Sequence, residues 1–491
     1  MKASFARFQT AWAAGESAAG LSGKGGVIVE RSVGPIETTI AFFQQDQVDA
    51  VLLMAHLSGF GLTGVTMLRA AISEATGVPA ARVFLFASHN HCAPALEPTF
   101  RRPWKEHEPP DEELTPRGAD YLEQVTSACR DLRSNAVHVR VRYAVGREGS
   151  ITYNRKAYRA DGSSYFMREE DRLEVGEDYR GDIDTEAPIL VFEDSDGHAV
   201  GAILQFTGHP VTAYHPERFV VFGEWPQVAA ERVRASLGGV PVGFLQGCSG
   251  DINSKEFLSG RIERSLEFGS RLAEAYRKAL SDRESESAAG TTASETAGAD
   301  PETLTALGVS VSTAAVPCRP LPAVGELERE LAEIDDFIRR AEAGDPQTYQ
   351  CVGLNFPRAL SPAYRGLLVK AVRPWTVWAL EQRRSGRATR ESVEIPIAAI
   401  RLGPAAIVGF ACEPFSAIGR MLRQRSSAPI TIAAGYLDAS YGYVPNSGNV
   451  WGTEYMSSFY RYTRFWPPFA PPAGDVLADQ AVEMVERFYV T

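Results

Sequence analysis

The chain is short of the features that would place it quickly. Its six cysteines (Cys92, Cys129, Cys248, Cys318, Cys351, Cys412) form no CxxC pair, which excludes a zinc knuckle, argues against a disulfide framework and fits reduced thiols. No apolar run reaches the length of a membrane span, and the start, Met1 to Gln9, lacks an apolar core followed by a small-residue cleavage site. A cytoplasmic protein without stable membrane association is therefore expected. Lys and Arg number 50 against 61 Asp and Glu, a net charge of -11, and no basic cluster is interleaved with aromatics, so nucleic acid is an unsuitable partner. There is no repeat of fixed period and nothing heptad-like, which leaves the oligomeric state open.

What is present is apolar material, 44% of 491 residues, enough for one large core or two fused ones. The segment Val48–Ala55 reads as a buried strand, Leu62–Glu74 as a helix and Val83–Ala87 as the next strand. A helix over Pro116–Arg133 and a strand over Val137–Ala144 follow. Asp196-Gly197 joins Ala187–Phe192 to Ala199–Phe206 as a hairpin, and Gly403-Pro404 joins Val393–Arg401 to Ala405–Ala411. Further strands are expected at Pro241–Leu245 and Ile430–Ala434, and helices at Pro226–Leu237, Arg261–Ser281, Gly325–Ala343 and Asp475–Phe488. Residues 283 to 301 are low in complexity and predict a mobile loop within the domain. Two stretches rich in Arg, Pro and aromatics, Glu97–Pro116 and Pro320–Trp378, read as long loops that shape a pocket. The fold class is α/β, with mixed β-sheets covered by helices, because the hairpins exclude an all-parallel sheet.

Polar residues stand where apolar strands end. Ser88-His89-Asn90-His91 follows Val83–Ala87, Thr207-Gly208-His209-Pro210 follows Ala199–Phe206, and Cys412-Glu413-Pro414-Phe415 follows the second hairpin. Tyr443 lies in the loop beyond Ile430–Ala434. Loops beyond strand ends hold side chains at fixed positions over a cleft. Imidazole, carboxylate and phenol together supply N and O donors suited to zinc. Singly, His209-Pro210 reads as a buried turn histidine, Glu413 as a helix-dipole partner and Tyr443 as packing. Asp251 reads as a cap of its glycine-rich turn, His215 as a weaker candidate, and Cys92 and Cys248 as small buried thiols, with a cysteine nucleophile as the lesser reading.

These motifs, in this order, resemble the catalytic domain of the neutral, non-lysosomal ceramidase family. The resemblance rests on Ser88–Pro94, Tyr153-Asn154-Arg155, Phe206–Pro210, Gly223-Glu224-Trp225-Pro226, Gln246–Asn253, Cys412–Phe415 and Tyr443 followed by Tyr455. It implies a single ceramidase-like catalytic domain over residues 1–491, without the C-terminal immunoglobulin-like domain of secreted members, and a metal site at strand ends. It implies zinc held by His89, His209, Glu413 and Tyr443, with His91, Arg155 and Tyr455 meeting the scissile amide or its product. Tyr441 competes with Tyr443 for the phenolic position, and the flanking Val444-Pro445 and Tyr455 favour Tyr443. Asn253 stands where the family has a serine near the oxyanion, and its amide can donate there too. The implied activity is hydrolysis of an amide, an N-acyl bond, of a small soluble substrate by zinc-activated water. The alternatives are a zinc esterase or lyase, a hydrolase of a sugar derivative, or a binding protein that has kept the fold.

Overall fold

The computed structural model describes residues 1–18, 27–105, 111–288, 305–463 and 465–489. Its organising feature is a unit used three times: three successive antiparallel strands, a crossover helix, a fourth strand parallel to the third, and a second helix. In the first unit the strands are Lys2–Thr10, Ile36–Gln45, Val48–Ala55 and Val83–Ala87, with helices Leu62–Thr76 and Pro116–Cys129. In the second they are Arg140–Arg147, Glu186–Glu193, Ala199–Phe206 and Val242–Gln246, with helices Glu224–Ser236 and Ile262–Ala288. In the third they are Leu307–Pro317, Ser392–Leu402, Ala405–Phe410 and Ile430–Ala434, with helices Ser416–Arg425 and Asp475–Tyr489. In each unit the two helices pack on one another and the second also packs on the first strand.

Each hairpin between the second and third strands needs a left-handed residue, supplied by Asp46 (φ 52°), Gly197 (φ 84°) and Gly403 (φ 59°). The strands are continuous apolar runs because both faces are covered. Along Val48–Ala55, Ala50, Leu52 and Met54 turn to a core shared by all three sheets, while Val51, Leu53 and Ala55 meet the unit's own helices. Leu190, Phe192 and Ile203 of the second sheet and Ile400, Ile407 and Ile432 of the third complete the shared core. The three sheets thus face one another, with helices outside.

The backbone at Gly435–Asp438 ties the sheets together. Gly435 N–H donates to Gln246 O at 3.0 Å, Ala87 N–H to Tyr436 O at 3.3 Å, Leu437 N–H to Phe410 O at 3.1 Å and Asp438 N–H to Leu85 O at 2.7 Å. Val83–Ala87, Val242–Gln246 and Ala405–Phe410, one strand from each sheet, meet at this junction.

Several expectations change. The strand expected over 137–144 divides: Val137–His138 joins the first sheet and Arg140–Arg147 the second. Within the stretch 320–378 the expected helix stands at Val324–Glu342, and what read as loop beyond it is largely a second helix packed on the first, Pro362–Ser385, capped by Ser361 and running through Pro374. The helix Ile262–Ala288 continues into the low-complexity segment, whose residues 289–301 lie outside the described residues. No helix among the described residues is long and apolar enough to cross a membrane.

Candidate metal centre

His89 stands two residues beyond Val83–Ala87 in left-handed backbone, φ 62°. Asn90 holds that turn: its Nδ2 donates to His56 O at 3.0 Å and Phe222 O at 2.8 Å, and its Oδ1 accepts from Cys92 N–H at 2.8 Å. His89 Nδ1 lies 2.8 Å from Ser58 O, and His209 Nδ1 lies 2.8 Å from Ser249 O and 3.1 Å from Ile252 O. A carbonyl only accepts, so both Nδ1 atoms carry the proton and both Nε2 atoms carry a lone pair. Burial pushes both imidazoles well below their usual range, which keeps them neutral.

Those two lone pairs face the carboxylate of Glu413, whose Oε2 is 3.4 Å from His89 Nε2 and 3.2 Å from His209 Nε2. Glu413 is positioned by a short parallel pairing of Glu413–Pro414 with Tyr443–Val444. The same pairing brings Tyr443 Oη to 3.3 Å from His209 Nε2. His91 Nε2 lies 3.1 Å from His89 Nε2, and one ligand nitrogen from each of the three histidines falls within 4.8 Å of the others. Neutral nitrogen lone pairs turned toward a carboxylate oxygen repel one another unless a cation sits between them. The donor set therefore fits a divalent metal, and each histidine's bond to a carbonyl is the support that fixes a metal ligand's tautomer.

The eight residues that the resemblance assigns to the site lie in this neighbourhood, in different positions. His89, His91, Arg155, His209, Glu413, Tyr443 and Tyr455 line one cavity of about 570 Å³. Arg155 is buried with its donors engaged: Nη2 donates to Gly250 O at 2.8 Å, Nη1 to Asn253 Oδ1 at 3.0 Å, and Nη2 lies 3.3 Å from His209 Nε2. Asn253 is fully buried, off the cavity wall, and its Nδ2 has no partner among the described residues. It stands behind Arg155, whose Nη1 donates to its Oδ1. Tyr455 packs edge-on against Tyr443 with ring centroids 5.2 Å apart, and burial pushes its phenol up to about 12.

Tyr443 and not Tyr441 faces the histidines, for Tyr441 stacks on Trp466 with centroids 5.9 Å apart. His215 is absent from the cavity wall, and its Nδ1 accepts Glu217 N–H at 3.2 Å. Asp251 caps the helix Ser416–Arg425, accepting Ser416 N–H at 2.7 Å, and so fixes the chain just after Glu413. Burial pushes the Cys92 and Cys248 thiols up, which removes both as thiolate nucleophiles.

Three residues that the sequence did not single out complete the site. Tyr436 stacks on His89, its Oη 2.7 Å from Ser249 Oγ and 3.4 Å from His209 Nε2. Tyr214 lies beside His91, ring centroids 5.1 Å apart. Arg102 enters the cavity wall beside Glu413. Phe100, Trp104, Phe166, Phe257, Phe356 and Phe459 make much of the remaining wall apolar.

No protein-family model matches the chain, and no curated protein sequence does. Two solved structures are similar to it over almost its full length. One is a ceramidase complexed with C2, 15% identical, with TM-score 0.63, covering 99% of this chain and 75% of that one. The other is the neutral ceramidase from Pseudomonas aeruginosa, 15% identical, with TM-score 0.60, covering 100% of this chain and 75% of that one. The fold is that of the neutral ceramidases.

Proposed function

We propose that this chain, with its neutral-ceramidase fold, is a zinc-dependent hydrolase that cleaves an amide, an N-acyl bond, of a small soluble substrate. One observation carries the reading: two neutral imidazoles, each with Nδ1 on a carbonyl, direct their Nε2 lone pairs at the Glu413 carboxylate 3.2 to 3.4 Å away. His89, His209, Glu413 and Tyr443 would hold the ion. Bound there, zinc supplies a water of lowered pKa and Lewis-acid polarisation of a carbonyl.

The protein's own groups do the rest. Tyr455, beside Tyr443 on the cavity wall, retains its proton at neutral pH and donates to the carbonyl oxygen as charge builds there. His91 also lines the cavity and delivers a proton to the leaving amine. Arg155, held by Gly250 and Asn253, positions His209 and lies over the Tyr443 ring, 5.2 Å from its centroid, where its charge partly offsets the burial that pushes that phenol up. The apolar walls take the acyl group, and the cavity has the volume of an ordinary small-molecule site.

The test is the metal-loaded protein against matched N-acyl amines and esters, with products identified by mass. Release of free acid and amine, abolished by a chelator and restored by zinc, supports the reading. Ester cleavage alone, elimination products, or turnover indifferent to the chelator would refute it.

A further inference from the structure

Charge in the cavity is unevenly matched. Its buried ionic groups are one carboxylate, Glu413, and two guanidiniums, Arg155 and Arg102, and any metal cation adds to the positive side. Arg155 is engaged with Gly250 O, Asn253 Oδ1 and His209. Lys370, the remaining cation on the wall, is an exposed residue paired with Glu342 at 2.5 Å.

Arg102 differs from both. It is 8% exposed, yet among the described residues its guanidinium makes no hydrogen bond. It lies over Phe100 at 4.2 Å and near Trp104 at 5.0 Å, and its nearest carboxylate oxygen is Glu413 Oε1, 4.0 Å from Nη1. Gly59 leaves it room: a Cβ there would come within 3.2 Å of Nη2. A guanidinium carries five donors in a planar fork, and here they open onto the cavity instead of onto protein acceptors, where a ligand can supply the acceptors. The two rings pack against the guanidinium, and burial lowers its own proton affinity, so the group is held in place at some expense.

The position of Arg102 limits what that ligand is. One Glu413 oxygen faces the histidine nitrogens at 3.2 to 3.4 Å and the other faces Arg102 at 4.0 Å, so the guanidinium lies on the far side of the Glu413 carboxylate from the metal-facing nitrogens, a few ångströms beyond them. In an N-acyl α-amino acid, two atoms, the nitrogen and Cα, separate the scissile carbonyl carbon from the carboxylate carbon, which spans a gap of this size. We propose that Arg102 receives the substrate's carboxylate, and that the amide this protein cleaves is that of an N-acyl amino acid whose acyl group lies along the apolar wall. Hydrolysis then breaks the C–N bond, adds water across it and releases a fatty acid and an amino acid. The assignment rests on the hydrolase reading above for the reaction, but the anion site stands on its own geometry.

The experiment pairs binding with turnover. Metal-loaded protein is titrated calorimetrically with an N-octanoyl α-amino acid and with its primary amide, which has the same shape without the charge. The wild type is expected to bind the acid about ten- to a hundredfold more tightly, the range of a charge-assisted bidentate contact. Arg102→Gln is expected to bring that ratio to within about threefold of unity, and Arg102→Lys, a point charge without the fork, to keep part of it. Equal binding of the two by the wild type, binding of neither, or an unchanged ratio in Arg102→Gln would overturn the proposal. If Arg102→Gln does not fold, an undiminished ratio in Arg102→Lys counts against the bidentate site and a reduced one supports it. Turnover of the same pair is measured separately. Carboxylate-selective binding with no cleavage would refute the hydrolase reading and leave Arg102 in place, whereas cleavage of both compounds without preference would do the reverse.

Discussion

His89 and Tyr436 stack with ring centroids 4.3 Å apart, and each stands two residues beyond the closing strand of its unit, in left-handed backbone at φ 62° and φ 59°. Two copies of one architecture thus place their corresponding residues face to face at the site. Non-glycine residues in that conformation are held at a cost, and such strain collects where a side chain must be aimed. Tyr436→Ala is expected to free the His89 ring and weaken metal binding about tenfold or more, the range for loss of a ligand's supporting contacts. Tyr436→Phe keeps the stack and should stay within about threefold of the wild type. Chelator competition measures both, and equal affinity in all three proteins would remove Tyr436 from the site's support.

His91 is expected to separate chemistry from metal binding. His91→Ala should retain the metal and lose about a hundredfold or more in kcat, the scale of general-acid catalysis. Loss of the metal would instead make His91 a ligand, and full turnover would give it no role.

Asp251 links the glycine-rich turn to the helix after Glu413, accepting Ser416 N–H at 2.7 Å, Ser416 Oγ at 3.1 Å and Asn154 Nδ2 at 3.0 Å. Asp251→Ala leaves buried donors unpaired and is expected to cost about 2 to 4 kcal/mol in urea unfolding, with weaker metal retention. A change below about 0.5 kcal/mol would contradict that role.

Glu224 gives a pH signature. It is fully buried, accepts Ala213 N–H at 2.6 Å and bonds Ser265, and burial pushes its carboxyl from 4.5 up to about 7. The folded state therefore binds this proton more tightly than the unfolded chain. The stability it contributes is fully present below about pH 4.5 and is lost as the pH rises to about 7. Glu224→Gln removes the titration, so the wild type should lose stability relative to the variant across that window and hold a constant difference outside it. Glu97, also raised to about 7, adds a slope of the same sign that the variant retains. Urea midpoints from pH 4 to 8 measure this, and a constant difference throughout would refute it.

The ligand candidates were legible because each ends a run that both cores bury. Val83–Ala87, Ala199–Phe206 and Ala405–Phe410 read as strands from composition alone, and a polar residue just past such a run has few structural reasons to be there. Tyr436 was missed because Gly435-Tyr436 reads as ordinary packing, although it stands at the same offset from its strand as His89. Arg102 was missed because its stretch of Arg, Pro and aromatics carries no period. The threefold repeat was invisible because the third strands begin at Val48, Ala199 and Ala405, and the excursions before them differ in length, so no fixed period exists. Pro374 and an irregular apolar pattern hid the helix Pro362–Ser385, where tertiary packing outweighs the local rule against proline. The strand Lys2–Thr10 has a mixed burial pattern and gave no clear alternation.

Metal content tests the site most directly. Protein purified with divalent metal supplied and then dialysed is analysed by mass spectrometry for bound ions, beside His209→Ala and Glu413→Ala. The expected result is about one zinc per chain in the wild type and under about a tenth in each variant, since each removes a donor from a four-donor set. A wild type that holds less than about half an ion per chain, or variants that hold as much as the wild type, would contradict a metal centre built on His89, His209, Glu413 and Tyr443.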